Sequence, residues 1–198
     1  KDILIKKNIS NEGIEDKSYE LAFYMKGKLI KLDINEYFWH TIIPNVFASI
    51  SNHQIMIFEI HSNKINLILY ITFPNILKMK FTNDGKYINL IYNNGKSIAL
   101  LDISDLYSNK YYIKHHLNIV DDRVFDISIP QNTESNDYFI CYSTRRIYII
   151  NQNSFKFSVE NNFSSNIFQV VSGENNFFVF TNGIEGNREN KSNPVYVY

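Results

Sequence analysis

The sequence predicts an all-β protein assembled from a repeated unit of four antiparallel strands. Three observations carry that expectation. Apolar residues cluster in short runs that follow the period of a strand, as in IMIFEI (residues 55–60), IALLDI (98–103) and IYII (147–150). No stretch of twelve residues keeps the i, i+3, i+4, i+7 stripe of an amphipathic helix, and 30 Ile against 3 Ala favours extended backbone. One hairpin template also recurs five times along the chain.

The template is an apolar strand, a polar turn of about four residues and a second strand ending in an apolar–acidic pair. Its copies are YELAFY-MKGK-LIKLDI (residues 19–34), NVFASI-SNHQ-IMIFEI (45–60) and YINLIY-NNGK-SIALLDI (87–103). Then come DYFICY-STRR-IYIINQ (137–152) and NFFVF, a long polar loop and VYVY (176–198). The closing polar residues Asp33, Glu59, Asp102 and Asn151 are separated by 26, 43 and 49 residues. Two further strands are expected after each later copy: 66–73 and 76–81, then 110–117 and 123–129, then 154–160 and 166–172. The interval from Asp33 to Asn45 has room for only one, at 36–43. Four strands in roughly 40–50 residues is the period of a propeller blade. The chain is therefore expected to be a single β-propeller domain over residues 1–198, with four to five blades, and part of a larger ring.

Residues 76–104 (ILKMKFTNDGKYINLIYNNGKSIALLDIS) carry a family resemblance. Asn83-Asp84-Gly85-Lys86 matches the turn between the first two strands of a blade. Asn93-Asn94-Gly95-Lys96 matches the next turn, and Leu101-Asp102 stands where a Trp-Asp pair would be. The segment resembles a divergent WD-repeat blade. It departs from the family in having no Trp at the signature position and no Gly-His dipeptide, so the polar network those residues support is not implied. Tight turns need positive φ, which Gly supplies freely and Asn at modest cost. With 7 Gly and 27 Asn, Asn is expected to share that duty.

The uneven spacing predicts that this chain does not close a ring alone. About two strands' worth of residues is lacking between the first and second hairpins, and residues are expected to be missing from the sequence there. One segment, DILIK (residues 2–6), is a candidate to pair beside residues 195–198 as the strap that joins first and last blades.

Composition narrows the function classes. The chain has 198 residues, zero net charge, 44% hydrophobic and 15% aromatic residues, too apolar for disorder throughout. Its longest apolar stretch, residues 65–73, is about half a membrane span and contains Asn66 and Thr72. A single cysteine, Cys141, excludes a disulfide scaffold and a Cys-based zinc cluster, and within FICY it reads as a buried, unreactive thiol. The chain opens on Lys1 without an apolar leader, and reads as a trimmed record of a soluble intracellular protein, nuclear or cytoplasmic. The sequons at Asn8, Asn162 and Asn190 are what an Asn-rich chain yields by chance.

Catalytic motifs are missing from the sequence. His40, His53, His61, His115 and His116 show no metal-site spacing, and no nucleophile elbow, phosphate loop or dinucleotide fingerprint occurs. Gly85-Lys86 and Gly95-Lys96 fall in hairpin turns. Asp121, Asp122 and Asp126 are the densest acidic group, the place to look for a propeller hydrolase, and a solvated loop explains them equally well. The first 99 residues hold 12 basic and 9 acidic groups and the rest 8 and 11, which is no nucleic-acid footprint. Two clusters are candidate interaction sites. Tyr37, Phe38 and Trp39 form an aromatic run that is either a partner anchor or, as alternation favours, a strand with two rings buried. Arg145 and Arg146 form the only Arg pair, an exposed turn pair or a phosphoinositide headgroup site. Thr144 and Ile147 flank them, where the headgroup-binding propellers carry Phe and Gly.

The reading is a non-catalytic scaffold that docks other protein subunits within a larger complex, with no cofactor or metal and no direct nucleic-acid contact. Peripheral membrane contact has no support in the sequence beyond the Arg pair. The alternative is a headgroup-binding propeller acting through Arg145 and Arg146, and the third reading is a propeller hydrolase.

Overall fold

The structure is a computed structural model. It describes the backbone of residues 4–9, 15–25, 28–34, 36–51, 53–61, 64–130, 138–160, 163, 165–173, 176–182 and 195–197. Side chains are described from residue 36 onward within those spans, except at 64 and 195–197.

Five antiparallel sheets follow one another in chain order. The first contains β1 (Leu4–Ile9), β2 (Glu15–Met25) and β3 (Lys28–Ile34). The second contains β4 (Glu36–Trp39), β5 (Val46–Ser51), β6 (Gln54–His61) and β7 (Lys64–Thr72). The third runs from β8 (Lys78–Phe81) through β9 (Tyr87–Tyr92) and β10 (Ser97–Asp102) to β11 (Tyr112–Asn118). The fourth is β12 (Asp126–Ser128), β13 (Tyr138–Tyr142), β14 (Ile147–Asn151) and β15 (Phe157–Glu160). The fifth is β16 (Ile167–Ser172), β17 (Phe177–Thr181) and β18 (Val195–Val197). Strands make up more than half of the described residues, and the one helical element among them is a 3-10 turn at Leu106–Ser108. In every sheet each strand pairs with its neighbour in sequence, so each is a meander.

The sheets stack face to face, and the middle strands feed two cores each. In β9 and β10, Ile88, Leu90, Ala99 and Leu101 pack against the second sheet. Ile91, Ile98 and Leu100, from the opposite faces, pack with Phe139, Cys141, Tyr148 and Ile150 of the fourth. Ile140, Tyr142 and Ile147 then turn toward Ile167, Val170, Phe177 and Val179 of the fifth. Burial on both faces explains why SIALLD reads as a near-continuous apolar run rather than a clean alternation. Ile88, Leu90, Ile98, Leu100, Phe139 and Cys141 are all fully buried.

The first strands of the later sheets stand side by side: β12 touches both β8 and β16. Charges link these inner strands as well. Glu36 of β4 holds the Lys78 ammonium of β8 at 2.9–3.0 Å, and Lys80 of β8 lies in the field of Asp126 of β12. Burial lowers the Lys80 pKa and Asp126 works against that shift.

The turns follow the expected chemistry. Asn83–Lys86 joins β8 to β9 with Gly85 at φ +67°, and Asn93–Lys96 joins β9 to β10 with Asn93, Asn94 and Gly95 all at positive φ. Of the five non-Gly residues at positive φ among the described residues, four are Asn. The closing polar residue also has a physical role. Asp102 Oδ1 accepts the Ser104 N–H at 2.9 Å and its hydroxyl at 2.7 Å. Asn151 Oδ1 accepts the Asn153 and Ser154 N–H groups at 3.1 and 2.8 Å. Each caps the turn its own strand runs into. Glu59, one carbon longer, instead accepts the Tyr107 hydroxyl at 2.6 Å and meets His61 at 2.9 Å.

One expectation about closure is revised, and the spacing of the first two hairpins acquires a structural description. Of the segment proposed as a strap, residues 4–6 lie in β1, which pairs with β2 as the edge of the first sheet and not beside β18, and residues 2 and 3 lie outside the described residues. The short interval after Asp33 arises because β3 ends the first sheet as its third strand. The single strand in that interval, β4, opens the second sheet. The 26-residue offset therefore reflects a sheet of three strands among the described residues.

Candidate interaction surfaces

The sheets present two ends. At one end the β4–β5, β8–β9 and β12–β13 connections meet: His40 Nε2 contacts the Gly85 carbonyl at 3.0 Å, and Asn83 Nδ2 donates to the Pro130 carbonyl at 2.7 Å. At the other end the β9–β10 turn receives the loops between sheets. Asn93 N–H donates to Pro74 O at 2.8 Å, and Val124 N–H donates to Gly95 O at 3.0 Å. Ile167 N–H likewise donates to Thr144 O in the β13–β14 turn at 2.7 Å.

The aromatic run occupies β4, whose last residue, Trp39, abuts the first end. Alternation sends Phe38 into the core between the second and third sheets. Tyr37 and Trp39 turn to the opposite face and remain 51% and 54% exposed. Two of the three rings are therefore outward, where the sequence pattern favoured two inward. The reason is that β4 is an inner edge strand with one well-covered face, not a middle strand. Trp39 meets the Phe47 ring at 5.6 Å, and Ile42 beyond it is 62% exposed.

Arg145 and Arg146 lie at the other end, so the two candidate clusters are not brought together. They also point apart. Arg145 Nε reaches Asn166 Oδ1 at 3.5 Å, toward the fifth sheet. Arg146 sits against the Tyr148 hydroxyl, which donates to Asp122 Oδ2 at 2.9 Å, toward the third. Contact with Tyr148 raises the Arg146 pKa, and burial with the Asp122 bond pushes Tyr148 up to about 12.

The acidic group is divided as well. Asp122 serves Tyr148, Asp126 accepts the Tyr142 hydroxyl at 3.0 Å, and Asp121 is exposed. No group of three His, Cys, Asp or Glu among the described residues is placed to hold a metal ion. His53 lies exposed in its turn, and His115 stacks on Phe155 at 5.1 Å while His116 faces outward across β11. Cys141 is fully buried, and burial raises its pKa well above the usual thiol value. His40 was overlooked at the level of sequence. Its main partner lies 45 residues away, a separation that leaves no local signal.

A further exposed surface lies on the fifth sheet. Phe168 and Val171 of β16 are exposed, and Phe168 meets Phe180 of β17 at 6.2 Å. This is the face turned away from the fourth sheet, whose core takes Ile167 and Val170.

No family model matches the chain, and no curated protein matches it. Solved structures do. The crystal structure of Sqt1 from Chaetomium thermophilum superposes with a TM-score of 0.63 at 11% identity, over 91% of this chain and 51% of that one. The β-propeller domain of Cps50 (Swd1) from Myceliophteria thermophila gives 0.59 at 9% identity, over 85% and 61%. The fold is a β-propeller. The chain spans about half the length of the Sqt1 structure and about three-fifths of the Cps50 domain. No helix among the described residues is long and apolar enough to cross a membrane.

Proposed function

We propose that this propeller is a non-catalytic scaffold that docks other proteins, working inside the cell as a subunit of a larger assembly. The observation that carries the reading is the outward pair Tyr37 and Trp39 on β4, continued by Ile42. Trp and Tyr are the residue types that dominate interface energies, and they present large apolar area at small entropic cost. The apolar outer face of the fifth sheet supports the same reading, since an exposed sheet face of this kind suits a further blade of a larger ring. The headgroup alternative loses support from geometry. Arg146 is engaged by Tyr148 and Asp122, and Arg145 points the other way, so the pair does not converge on one phosphate.

The test compares the protein purified with its partners from source cells with a Tyr37→Ser/Trp39→Ser variant, after thermal melts confirm that both are folded. The scaffold reading expects a defined set of co-purifying proteins to be lost. An unchanged set in a folded variant overturns the assignment to β4. Sedimentation with phosphoinositide vesicles that depends on Arg145 and Arg146 decides for the headgroup reading instead.

A further inference from the structure

His40 is a buried histidine whose two ring nitrogens both make contacts, on different sheets. Nδ1 accepts the main-chain N–H groups of Ile42 at 3.1 Å and Ile43 at 2.9 Å, so it must carry a lone pair. The ring proton therefore sits on Nε2, which donates to the Gly85 carbonyl at 3.0 Å. Gly85 belongs to the β8–β9 turn of the third sheet, and His40 to the β4–β5 turn of the second. The ring packs on Phe81 of β8 at 4.9 Å. A Cβ on Gly85 would lie 2.2 Å from His40 Cε1, so the imidazole fills the space that only glycine leaves open. One neighbouring tie does not titrate: the Thr41 hydroxyl donates to Thr82 O at 2.7 Å.

We propose that His40 is a pH-sensitive latch between the second and third sheets. As neutral imidazole it ties the β4–β5 turn to the β8–β9 turn, and protonation releases the tie. A proton on Nδ1 sets a third N–H against the two amide donors it now accepts. The packed ring cannot turn away without giving up the Gly85 carbonyl. Among the described residues, Asp84 of the β8–β9 turn is the charged group that acts on the ring and favours its cation. That carboxylate already accepts the Thr82 hydroxyl and the Lys86 N–H. Burial outweighs the Gly85 bond and Asp84, and holds the His40 pKa below the ordinary imidazole value. The sign follows. The unfolded chain takes up the proton first, so stability is complete above pH 6.5 and falls as pH drops below it, until the folded-state value is passed.

The test is thermal unfolding of the full chain from pH 7.5 to 5, with His40→Asn beside it. Asn can accept the same amides but does not titrate. The wild type is expected to show an unfolding constant that rises by up to about tenfold per pH unit below the ordinary imidazole value, with a smaller rise in the variant. Equal acid sensitivity of the two overturns the latch. Should the variant not fold, ring-nitrogen NMR of the wild type decides. The latch requires the Nε2–H tautomer and a midpoint below the ordinary imidazole value. The Nδ1–H tautomer, or a midpoint at or above that value, overturns it.

Discussion

Gly95 and Val124 meet backbone to backbone. The Gly95 carbonyl accepts the Val124 N–H at 3.0 Å, and a Cβ on Gly95 would stand 2.3 Å from the Val124 carbonyl oxygen. Gly95 also sits at φ +82°, where an L side chain is strained. The obstacle is main chain, which cannot swing aside as a side chain would. Gly95→Ala is therefore expected to lose more than about 1 kcal/mol in a urea titration. A variant as stable as the parent contradicts this close approach of the β9–β10 turn to the loop before β12.

Leu100 is fully buried between the third and fourth sheets, beside Ile98, Phe139 and Cys141. Leu100→Ala leaves a cavity walled by two rigid sheets, which relax little. The expected cost is roughly 2–5 kcal/mol. A chemical denaturation curve with an unmoved midpoint removes Leu100 from that core.

Cys141 lies on β13 within the same core, and burial holds its thiol well above the ordinary range. The thiolate is the reactive form, so a thiol reagent at pH 8 should modify Cys141 only as the protein unfolds. Rapid stoichiometric labelling of the native protein contradicts its burial.

Tyr148 is shifted the other way along the pH scale from His40. Its pKa rises from 10.0 to about 12 through burial first and the Asp122 bond second. A phenol with a raised folded value contributes stability that is complete below pH 10 and is lost as pH climbs toward 12. The wild type should lose stability across that window. Tyr148→Phe should lose less, with the difference read from melts at pH 9 and 11. Parallel losses in the two proteins disprove the role of the phenol.

Local chemistry made the strands and turns legible. Runs such as YINLIY and SIALLD needed only period and β-branching to be placed as β9 and β10. The turns followed from Asn and Gly, because positive φ is a property of single residues and the sequence states where those residues are. The polar residue closing the third and fourth hairpins has a reason equally local: Asp102 and Asn151 bond groups two or three residues ahead. Outward Tyr37 and Trp39 were less legible, because alternation gives two faces but does not say which one a neighbouring sheet will cover.

The sequence by itself therefore determined the all-β class, the hairpin template and most strand positions, since each depends on contacts a few residues long. Only the tertiary structure decided which strand lies beside which across long separations. The pattern of DILIK suits either end of the ring, and pairing with β2 placed its residues 4–6 in the first sheet. His40 acquired its role from Gly85, and Arg146 its partners from Tyr148 and Asp122. The Gly85 and Asp122 contacts form only when separate sheets stack, because these groups arrive from other turns of the chain, whereas Tyr148 stands two residues from Arg146 in the same hairpin.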